Sequence, residues 1–378
     1  MRVPFLDLPA QDREVGADVR AAIGAVLDDQ QCILGPHLAR FEAAMAVATG
    51  ARHALGVGSG TDALALALAA LGVGPGTVVL TTAFSFFATA SVIARLGARA
   101  LLADIDPHTL NLDPAAAEAV LDRTREKVRG IVPVHLFGRI ADMPRLDALA
   151  RRRDLWIVED AAQAVGARVP AGVAGTLGRA GCLSFYPTKN LGAVGDGGMI
   201  LTDDDALAQR IREDRHHGQV EPYVHARIGL CSRLDAVQAA ALGAKLPHLA
   251  AWNGRRRAVA AAYTAAFQAA GLAGSPAAPL VLPEPAGEAH VFHQYVVRAR
   301  DRDALAAHLH ANGIATQVYY RLPLHRQPAL QPHVIVPAPL VETDRAAADV
   351  LALPIYPELT APQLQAVVAA IDAFYRPR

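Results

Sequence analysis

One lysine of this chain stands in a setting that could make its side-chain amine a nucleophile. Only three of the 36 basic residues are lysines: Lys127, Lys189 and Lys245. Lys189 follows an apolar and aromatic segment, 182–186, which is typical of a buried strand. Loss of solvent at the end of such a strand would lower the pKa of the amine and free its lone pair. A surface lysine on a turn fits this context equally well.

A carboxylate, Asp160, follows a second buried-strand pattern at 155–158. In open α/β sheets, ligands bind beyond the carboxyl ends of the strands, so Asp160 could pair with a cationic atom of a ligand. A helix N-cap or a solvent-facing acid is the simpler interpretation of Asp160 alone. Gln163 lies three residues further on, which places it one turn along on the same side.

A glycine-rich segment, Gly58-Ser-Gly-Thr-Asp62, follows a short strand and opens a predicted helix at 63–71. Its backbone N–H groups and the helix N-terminus could hold a phosphate. The segment also resembles a dinucleotide-binding loop, but Thr61 stands where the third glycine of that motif belongs. The chain has no Gly-Lys dipeptide, which excludes a Walker-type loop.

A fourth motif, Ser85-Phe-Phe-Ala-Thr89, follows the predicted strand 78–81, and its aromatic rings could stack on a flat ligand or pack in the core. Together the four motifs describe one ligand with a phosphate, a flat ring, a ring cation and an aldehyde. Pyridoxal 5′-phosphate has this set, and a lysine with an aspartate on the ring nitrogen is the general pattern of its enzymes. The predicted contacts are Gly60, Thr61 and Ser184 for the phosphate, Phe86 for the ring, Asp160 for the cation and Lys189 for the aldehyde.

The elements that must position these residues are visible in the N-terminal two-thirds of the chain. Short runs dominated by Val, Ile and Leu alternate with alanine-rich helical segments, as in strands covered on both faces. This alternation predicts an α/β fold with a largely parallel sheet. The predicted strands are 54–57, 78–81, 99–103, 130–134, 155–158, 182–185 and 199–201.

The pattern changes in the C-terminal third, which predicts a smaller α+β domain. A long amphipathic helix over 234–249 leaves the large domain, and a Pro- and Ala-rich loop over 274–287 follows. The predicted elements beyond it are a strand at 290–298, a helix at 302–312, a second strand at 314–320 and a last helix at 362–375. We therefore expect a large domain at 1–245 and a small domain at 246–378.

Composition excludes several classes of function. Lys+Arg and Asp+Glu are both 36, so a basic surface for nucleic acid is not expected. The three cysteines, Cys32, Cys182 and Cys231, form no C-x-x-C pair, which argues against a disulfide framework or a zinc site. His290 and His293 would point to opposite faces of the predicted strand, so no metal site is expected. No signal peptide or membrane span is predicted, and we expect a cytoplasmic protein.

Over nearly its whole length the chain resembles the DegT/StrS family of sugar aminotransferases, which use pyridoxal phosphate and have fold type I. The resemblance is carried by motifs in a fixed order. They include Gly58-Ser-Gly-Thr-Asp-Ala-Leu64, Glu159-Asp-Ala-Ala-Gln163, Ser184-Phe-Tyr-Pro-Thr-Lys-Asn-Leu-Gly192, Gly195-Asp-Gly-Gly198, Ser232-Arg-Leu-Asp235 and Pro323-Leu-His325.

The resemblance implies roles for matching residues. Lys189 would form the internal aldimine, Asp160 would pair with the pyridine nitrogen and Gln163 would approach the ring hydroxyl. Tyr320 and His325 are the candidates for contact with substrate. Family members are homodimers with shared active sites. They move an amino group from L-glutamate, or L-glutamine, to a keto group of a nucleotide-linked sugar. We expect a dTDP or UDP sugar, amination at C3 and a ping-pong mechanism.

Two departures from the family pattern affect these expectations. Cys231 stands where an asparagine that reaches the partner subunit's cofactor phosphate is common, and a thiol is a weak donor. Arg321 stands where proline is common, which could alter the acceptor pocket. Two alternatives on the same frame stay open: a sugar dehydratase, in which a histidine replaces the lysine, and a catalytically silent binding or regulatory protein. A nicotinamide-dependent oxidoreductase ranks lower, because the glycine spacing fails.

Overall fold

A computed structural model of the protein describes residues 2–376. Its helices are α1 (Leu8–Asp29), α2 (Gly35–Thr49), α3 (Gly60–Ala70), α4 (Ala88–Arg95), α5 (Pro114–Arg123), α6 (Met143–Arg152), α7 (Asp205–Asp214), α8 (Ala236–Lys245), α9 (Leu249–Ala269), α10 (Arg302–Ala311), α11 (Val341–Asp349) and α12 (Ala361–Tyr375).

The strands complete the element order. They are β1 (His53–Val57), β2 (Val78–Thr82), β3 (Arg99–Ala103), β4 (Val128–Val132), β5 (Trp156–Asp160), β6 (Arg168–Val169), β7 (Gly172–Val173), β8 (Ala180–Ser184), β9 (Gly198–Thr202), β10 (Gln219–Glu221), β11 (Val224–His225), β12 (Leu280–Val281), β13 (Tyr295–Ala299), β14 (Val334–Ile335) and β15 (Val350–Leu353). All seven strands predicted in the N-terminal two-thirds are present.

The central sheet has eight strands in the order β1-β9-β8-β5-β4-β2-β3-β14. Strand β9 runs antiparallel to both of its neighbours, β1 and β8, and the other pairings are parallel. The largely parallel sheet expected from the sequence is thus confirmed. Because β5, β4 and β2 run parallel, their carboxyl ends meet at one edge, the edge at which such sheets bind ligands.

The sheet is buried on both faces, which explains why its strands have few polar residues. Every residue of β2 and β8 is buried. One apolar cluster includes Leu80 and Leu183, and a second, separate cluster includes Val79 and Cys182. Adjacent residues of one strand therefore contribute to different core layers, as strand geometry requires.

The C-terminal part has its own antiparallel sheet, β12-β13-β15, packed with α9, α10 and α12 around one apolar cluster. Helix α12 begins with the predicted capping box between Thr360 and Gln363. Two connections cross the predicted division of the chain. Val3 belongs to the C-terminal cluster, and β14 pairs with β3 of the central sheet.

Two predicted elements differ from the structure. The strand predicted at 314–320 is absent: Ile314 forms an isolated bridge with Val3, and Gln317 forms one with Ala352. Since these partners lie on different segments, no continuous ladder forms. The strand predicted at 290–298 begins only at Tyr295, so His290 and His293 precede it and the argument from opposite strand faces does not apply.

The long helix predicted at 234–249 is interrupted. Helix α8 ends at Lys245, a short 3-10 turn spans Leu246–His248, and α9 then continues to Ala269. Pro247, inside the turn, lacks the N–H that a continuous helix needs at that point. Among the described residues, no helix combines the length and the apolar character needed to cross a membrane.

Candidate active site

A cavity of about 800 Å³ opens at the carboxyl ends of β5 and β8, beside the N-terminus of α3. Its volume lies in the range of pockets that hold a small ligand. The structure brings eight of the nine predicted site residues to the wall of this cavity. They are Gly60, Thr61, Phe86, Asp160, Gln163, Ser184, Lys189 and Tyr320.

Lys189 lies on the loop that follows β8, five residues beyond Ser184. Its side chain lines the cavity and is partly buried, and burial lowers the pKa of its amine to about 8 against an opposing effect from the charge of Asp160. A larger fraction of the unprotonated amine is therefore present near neutral pH than on an exposed lysine. This is the condition that a nucleophilic or proton-transferring lysine requires.

Asp160 is the last residue of β5 and is 5% exposed. Thr89 Oγ1 donates a hydrogen bond to its Oδ2 at 2.8 Å, and the N–H of Ala162 donates to its Oδ1 at 3.3 Å. Burial raises the pKa of the carboxyl group, while these donors and the charge of Lys189 act to lower it. A cationic ring nitrogen placed beside Asp160 would supply the missing counter-charge.

The predicted phosphate contacts Gly60 and Thr61 lie in the first turn of α3. Ser59 caps the helix by accepting a hydrogen bond from the N–H of Asp62 at 3.1 Å. The N–H groups of Gly60 and Thr61 find no acceptor within residues 2–376. A Cβ on Gly60 would lie 2.7 Å from Cβ of Ser184, so only glycine lets the helix approach β8 this closely. Two free N–H groups at a helix N-terminus are a site for an anion.

The side chains around the ring position are aromatic and amide groups. Phe86 is 56% exposed within the single chain, so it faces the cavity instead of packing in the core. Gln163 accepts a hydrogen bond from the N–H of Phe137 at 2.6 Å and donates one to the hydroxyl of Tyr320 at 3.1 Å. These bonds fix the amide so that its nitrogen points toward Tyr320, and one N–H remains for a ligand.

His325 is the ninth predicted residue, and it does not line the cavity. Its Nε2 lies 3.3 Å from Oδ1 of Asp344 and accepts a hydrogen bond from Nε of the neighbouring Arg326 at 3.3 Å. Because Asp344 on α11 and the short 3-10 helix Leu324–Arg326 hold the imidazole, we no longer expect it to contact substrate within this chain.

The sequence reasoning missed three polar residues at the site. Thr89 belongs to the motif 85–89, in which the aromatic rings were the expected ligand contacts, and its hydrogen bond to Asp160 was not predicted. Asn190 belongs to a quoted motif and His293 was considered only as a metal ligand; their contact with each other was not predicted, because a pairing of residues 103 positions apart in the chain has no local signal. The four-residue spacing of Ser85 and Thr89, whose hydroxyls lie 2.9 Å apart, was the one available clue.

The residues present therefore fit pyridoxal phosphate. The cradle at Gly60 excludes a side chain, two N–H groups there lack acceptors, and an incompletely bonded carboxylate and a low-pKa amine share the same cavity. The DegT/DnrJ/EryC1/StrS aminotransferase family matches residues 13–372 of the chain. The protein belongs to this family.

Three relatives of the family align over nearly the whole chain. The pleiotropic regulatory protein of Geobacillus stearothermophilus is 47% identical over 100% of this chain and 99% of its own length. The UDP-N-acetyl-3-dehydro-alpha-D-glucosamine 3-aminotransferase of Acidithiobacillus ferrooxidans is 42% identical, with 98% and 97% covered. The dTDP-3-amino-3,4,6-trideoxy-alpha-D-glucose transaminase of Streptomyces venezuelae is 43% identical, with 98% and 95% covered.

Solved structures of the family share the fold. DesV of S. venezuelae, in complex with a ketimine intermediate, superposes with a TM-score of 0.93 at 42% identity, and both chains are covered completely. NtdA of Bacillus subtilis, with the cofactor PMP bound, gives a TM-score of 0.88 at 31% identity, with 98% of this chain and 84% of that chain covered. The fold is that of the fold type I enzymes, and the protein is an aminotransferase dependent on pyridoxal phosphate.

The two departures from the DegT/StrS pattern occupy different surroundings. Cys231 is exposed, and its Sγ accepts a hydrogen bond from Nη2 of Arg233 at 2.8 Å. Arg321 lines the cavity, and its Nη2 lies 3.1 Å from Oδ1 of Asp303 while most of the side chain is exposed. A mostly exposed guanidinium group, close to the carboxylate of Asp303, therefore forms part of the cavity wall.

Proposed function

We propose that this aminotransferase moves an amino group from L-glutamate to the C3 keto group of a UDP- or dTDP-linked sugar, in two half-reactions at one site. The observation that carries the proposal is that Lys189 and Asp160 line one cavity, close enough for each charge to act on the other. The amine with its lowered pKa and the buried carboxylate are the two groups that amino transfer requires.

The chemistry divides among the residues of the cavity. When bound, pyridoxal phosphate supplies an aldehyde that exchanges with amines and a ring that withdraws electrons. Gly60 and Thr61 would hold the phosphate with their N–H groups, and Asp160 would keep a proton on the ring nitrogen. Lys189 Nζ would take the proton from the carbon that bears the amino group of the donor. In the half-reaction with the sugar it would deliver a proton to the carbon that receives the amino group. An amine with a pKa of about 8 can both accept and donate a proton near neutral pH.

The choice of C3 is supported by the relatives. The A. ferrooxidans and S. venezuelae enzymes, both more than 40% identical over nearly the whole chain, are named for amination at position 3 of a UDP and a dTDP sugar. The choice of a nucleotide-linked sugar is further supported by Arg321 at the cavity wall, because an exposed guanidinium group suits a diphosphate. L-glutamine stays the alternative donor.

The test has two steps. Adding L-glutamate to the protein loaded with pyridoxal phosphate should remove the visible absorption band of the bound cofactor, and Lys189→Ala should never show that band. The glutamate-treated protein is then given UDP- and dTDP-linked sugars with the keto group at C3 or C4, and amino sugars are quantified by mass spectrometry. We expect turnover with a 3-keto sugar. Turnover confined to 4-keto sugars would contradict the assignment of position.

Two alternatives predict different results in the same experiment. A dehydratase would leave the spectrum unchanged on addition of glutamate and would release water from a sugar. The name of the G. stearothermophilus relative is the specific observation that favours a regulatory protein. Protein that stayed colourless after addition of pyridoxal phosphate, with no turnover, would favour this alternative. Retention of Lys189, Asp160 and the phosphate cradle supports catalysis over either alternative.

We also propose that the protein is a homodimer with shared active sites. The support within one chain is a hairpin, β10–β11, whose apolar side chains project from the surface: Tyr223 is 94% exposed, and Val220 and Val224 are also exposed. Exposed apolar groups at this density are typical of an interaction surface. Sedimentation equilibrium should give the mass of two chains, and Tyr223→Glu should shift it toward one.

The three free thiols support a reducing, cytoplasmic location.

A further inference from the structure

His293 lies in the wall of the cavity that holds Lys189, and the proposed reaction assigns it no role. Its side chain is almost completely buried, with 6% exposed. Nδ1 lies 3.2 Å from Oδ1 of Asn190, the residue that follows Lys189 in the chain. The two nitrogens of a neutral imidazole differ, since one donates and the other accepts, and the hydrogen bonds around the ring decide which is which.

A chain of amides fixes the proton on Nδ1. Asn190 Nδ2 donates to the carbonyl oxygen of Val291 at 3.1 Å and to Oδ1 of Asn253 at 2.8 Å. Asn253 Nδ2 in turn donates to the carbonyl oxygen of Val165 at 3.0 Å. A carbonyl oxygen only accepts, so both atoms that contact carbonyls must be nitrogens. Asn190 Oδ1 is then an acceptor, and Nδ1 of His293 must carry the hydrogen that it receives.

The other ring nitrogen, Nε2, is therefore left with a lone pair. Burial, with the nearby charges of Lys189 and Arg256, holds the pKa of His293 well below its usual value, so the ring stays neutral near pH 7. Among residues 2–376 the only polar contact of Nε2 is the side-chain nitrogen of Gln294, at 3.5 Å. That distance is at the limit of a hydrogen bond, so Nε2 keeps most of its capacity to accept.

The main chain holds the ring firmly in this place. Arg256 Nη1 on α9 donates to the carbonyl oxygens of Phe292, at 3.2 Å, and Ile355, at 3.0 Å. A Cβ on Gly138 would lie 2.9 Å from the nitrogen of His293, so the two segments pack at main-chain distance. An imidazole whose tautomer and position are both fixed is the arrangement expected of a functional hydrogen-bond acceptor.

We propose that His293 is a positioning residue for the amine of Lys189: fixed as the Nδ1–H tautomer by Asn190, it offers Nε2 as the hydrogen-bond acceptor toward which Nζ turns once that amine is released from the cofactor and protonated. The bond would hold Nζ in place between its two proton transfers and would favour the ammonium form. The inference rests on the proposed function only in taking Lys189 as the reactive amine.

Other charged groups act on His293 and Lys189, and the substitutions used in the test leave all of them in place. Nη1 of Arg256 lies 3.5 Å from the carbonyl oxygen of His293 and its charge acts on the imidazole, while the charge of Asp160 acts on Lys189. The remaining titratable or charged side chains of the cavity wall are Tyr186, Asp196, Tyr319, Tyr320 and Arg321.

Two substitutions distinguish the contributions of the two ring nitrogens. In His293→Asn the amide reaches the position of Nδ1 and leaves nothing at Nε2, whereas in His293→Gln the amide reaches the position of Nε2. The full-length proteins are loaded with pyridoxamine 5′-phosphate, which leaves Nζ of Lys189 free, and are carbamylated with cyanate over a series of pH values. Peptide mass spectrometry gives the midpoint for Lys189, with Lys127 and Lys245 as internal references. A parallel series without cofactor keeps the result separate from any failure of cofactor binding.

We expect the midpoint of His293→Asn to lie about one pH unit below that of the wild type, because a hydrogen bond to a charged group is lost. The midpoint of His293→Gln should stay close to that of the wild type. Equal midpoints in all three proteins, or a shift in the Gln variant as large as that in the Asn variant, would overturn the proposal. The imidazole ¹⁵N shifts of the wild-type protein test it without a substitution: a hydrogen on Nε2 instead of Nδ1 would also overturn it.

Discussion

Two neighbouring carboxylates at the end of β5 differ in how completely the protein satisfies them with hydrogen bonds. Glu159 and Asp160 point to opposite faces of the sheet, as successive strand residues do. Glu159 is fully buried and accepts four hydrogen bonds: one from Nε2 of His135 at 2.8 Å and three from main-chain N–H groups of the segment 175–178 at 2.6–2.8 Å. Every lone-pair direction of that carboxylate is occupied by the protein itself.

Asp160 is almost as deeply buried but has only two donors, Thr89 and Ala162. Its remaining acceptor capacity faces the cavity. A buried carboxylate that the chain satisfies completely stabilises the fold, whereas one that the chain satisfies incompletely needs a ligand to complete it. The number of donors, and not burial, distinguishes Glu159 from Asp160, the acid for which we propose a function.

The largest effect that this comparison predicts is on activity at Asp160. Asp160→Asn keeps the shape of the side chain and removes its charge, so the ring nitrogen of the cofactor would lose the counter-ion that we propose for it. We expect kcat/KM to fall about 10³-fold, as for loss of one well-placed electrostatic group. The free energy of unfolding without cofactor should change by less than about 1 kcal/mol, because loss of one accepted hydrogen bond is offset by removal of a buried charge, and the amide oxygen still accepts the other bond. A loss of activity below tenfold would contradict the functional role.

For Glu159 we expect the opposite: a large effect on stability and a small effect on activity. Glu159→Ala leaves three N–H groups and an imidazole without an acceptor, so we expect a loss of about 3–5 kcal/mol in the free energy of unfolding. Urea denaturation measures it, and activity per folded molecule should fall far less than in Asp160→Asn. Glu118→Ala is the matched control, because its carboxylate pairs with Arg152 on the surface and should matter by less than about 1 kcal/mol. Equal losses of unfolding free energy in Glu159→Ala and Glu118→Ala would contradict the structural role of Glu159.

The sequence allowed Asp160 to be placed because its signal is local. An apolar run of strand length followed by an acid predicts a strand end, and the structure has β5 at Trp156–Asp160. The same reasoning located the helix start at Gly60 and the lysine after β8. All three lie within a few residues of a strand, where periodicity and strand chemistry determine the position.

The partners of these residues could not be predicted in the same way. The bonds of Glu159 depend on the segment 175–178, and the orientation of His293 depends on α9, far away in the chain. The segment 314–320 has the alternation of a strand, yet it lacks a continuous neighbour and instead carries Tyr320 to the cavity. Such outcomes follow from long-range packing, which a single sequence does not encode in any local pattern.

A smaller effect should follow from Thr89, which supplies the shorter of the two bonds to Asp160. Thr89→Val keeps the size of the side chain and removes the donor, so the pKa of Asp160 should rise further and less of it should be ionised. We expect the affinity for pyridoxal phosphate, measured by absorbance titration, to fall about tenfold. Thr89→Ser should recover most of the loss. If serine binds as weakly as valine, packing and not the hydrogen bond explains the effect.

The last prediction concerns Lys189, the cation that faces Asp160. Burial lowers the pKa of its amine to about 8, from about 10.4 in an unfolded chain. Between these values the unfolded chain holds a proton that the folded chain has released, so the contribution of Lys189 to stability rises with pH through this window. Below pH 8 the folded chain carries the full cost of a buried ammonium group.

Lys189→Met removes that cost. We expect the free energy of unfolding of the cofactor-free protein to increase by about 2 kcal/mol at pH 7. The gain should fall to less than half near pH 9.5, where the unfolded lysine also begins to lose its proton. Lys127→Met controls for the loss of a lysine elsewhere in the chain and should show no such pH dependence in urea unfolding. A gain of the same size at both pH values would mean that apolar packing at position 189, and not the buried charge, accounts for it.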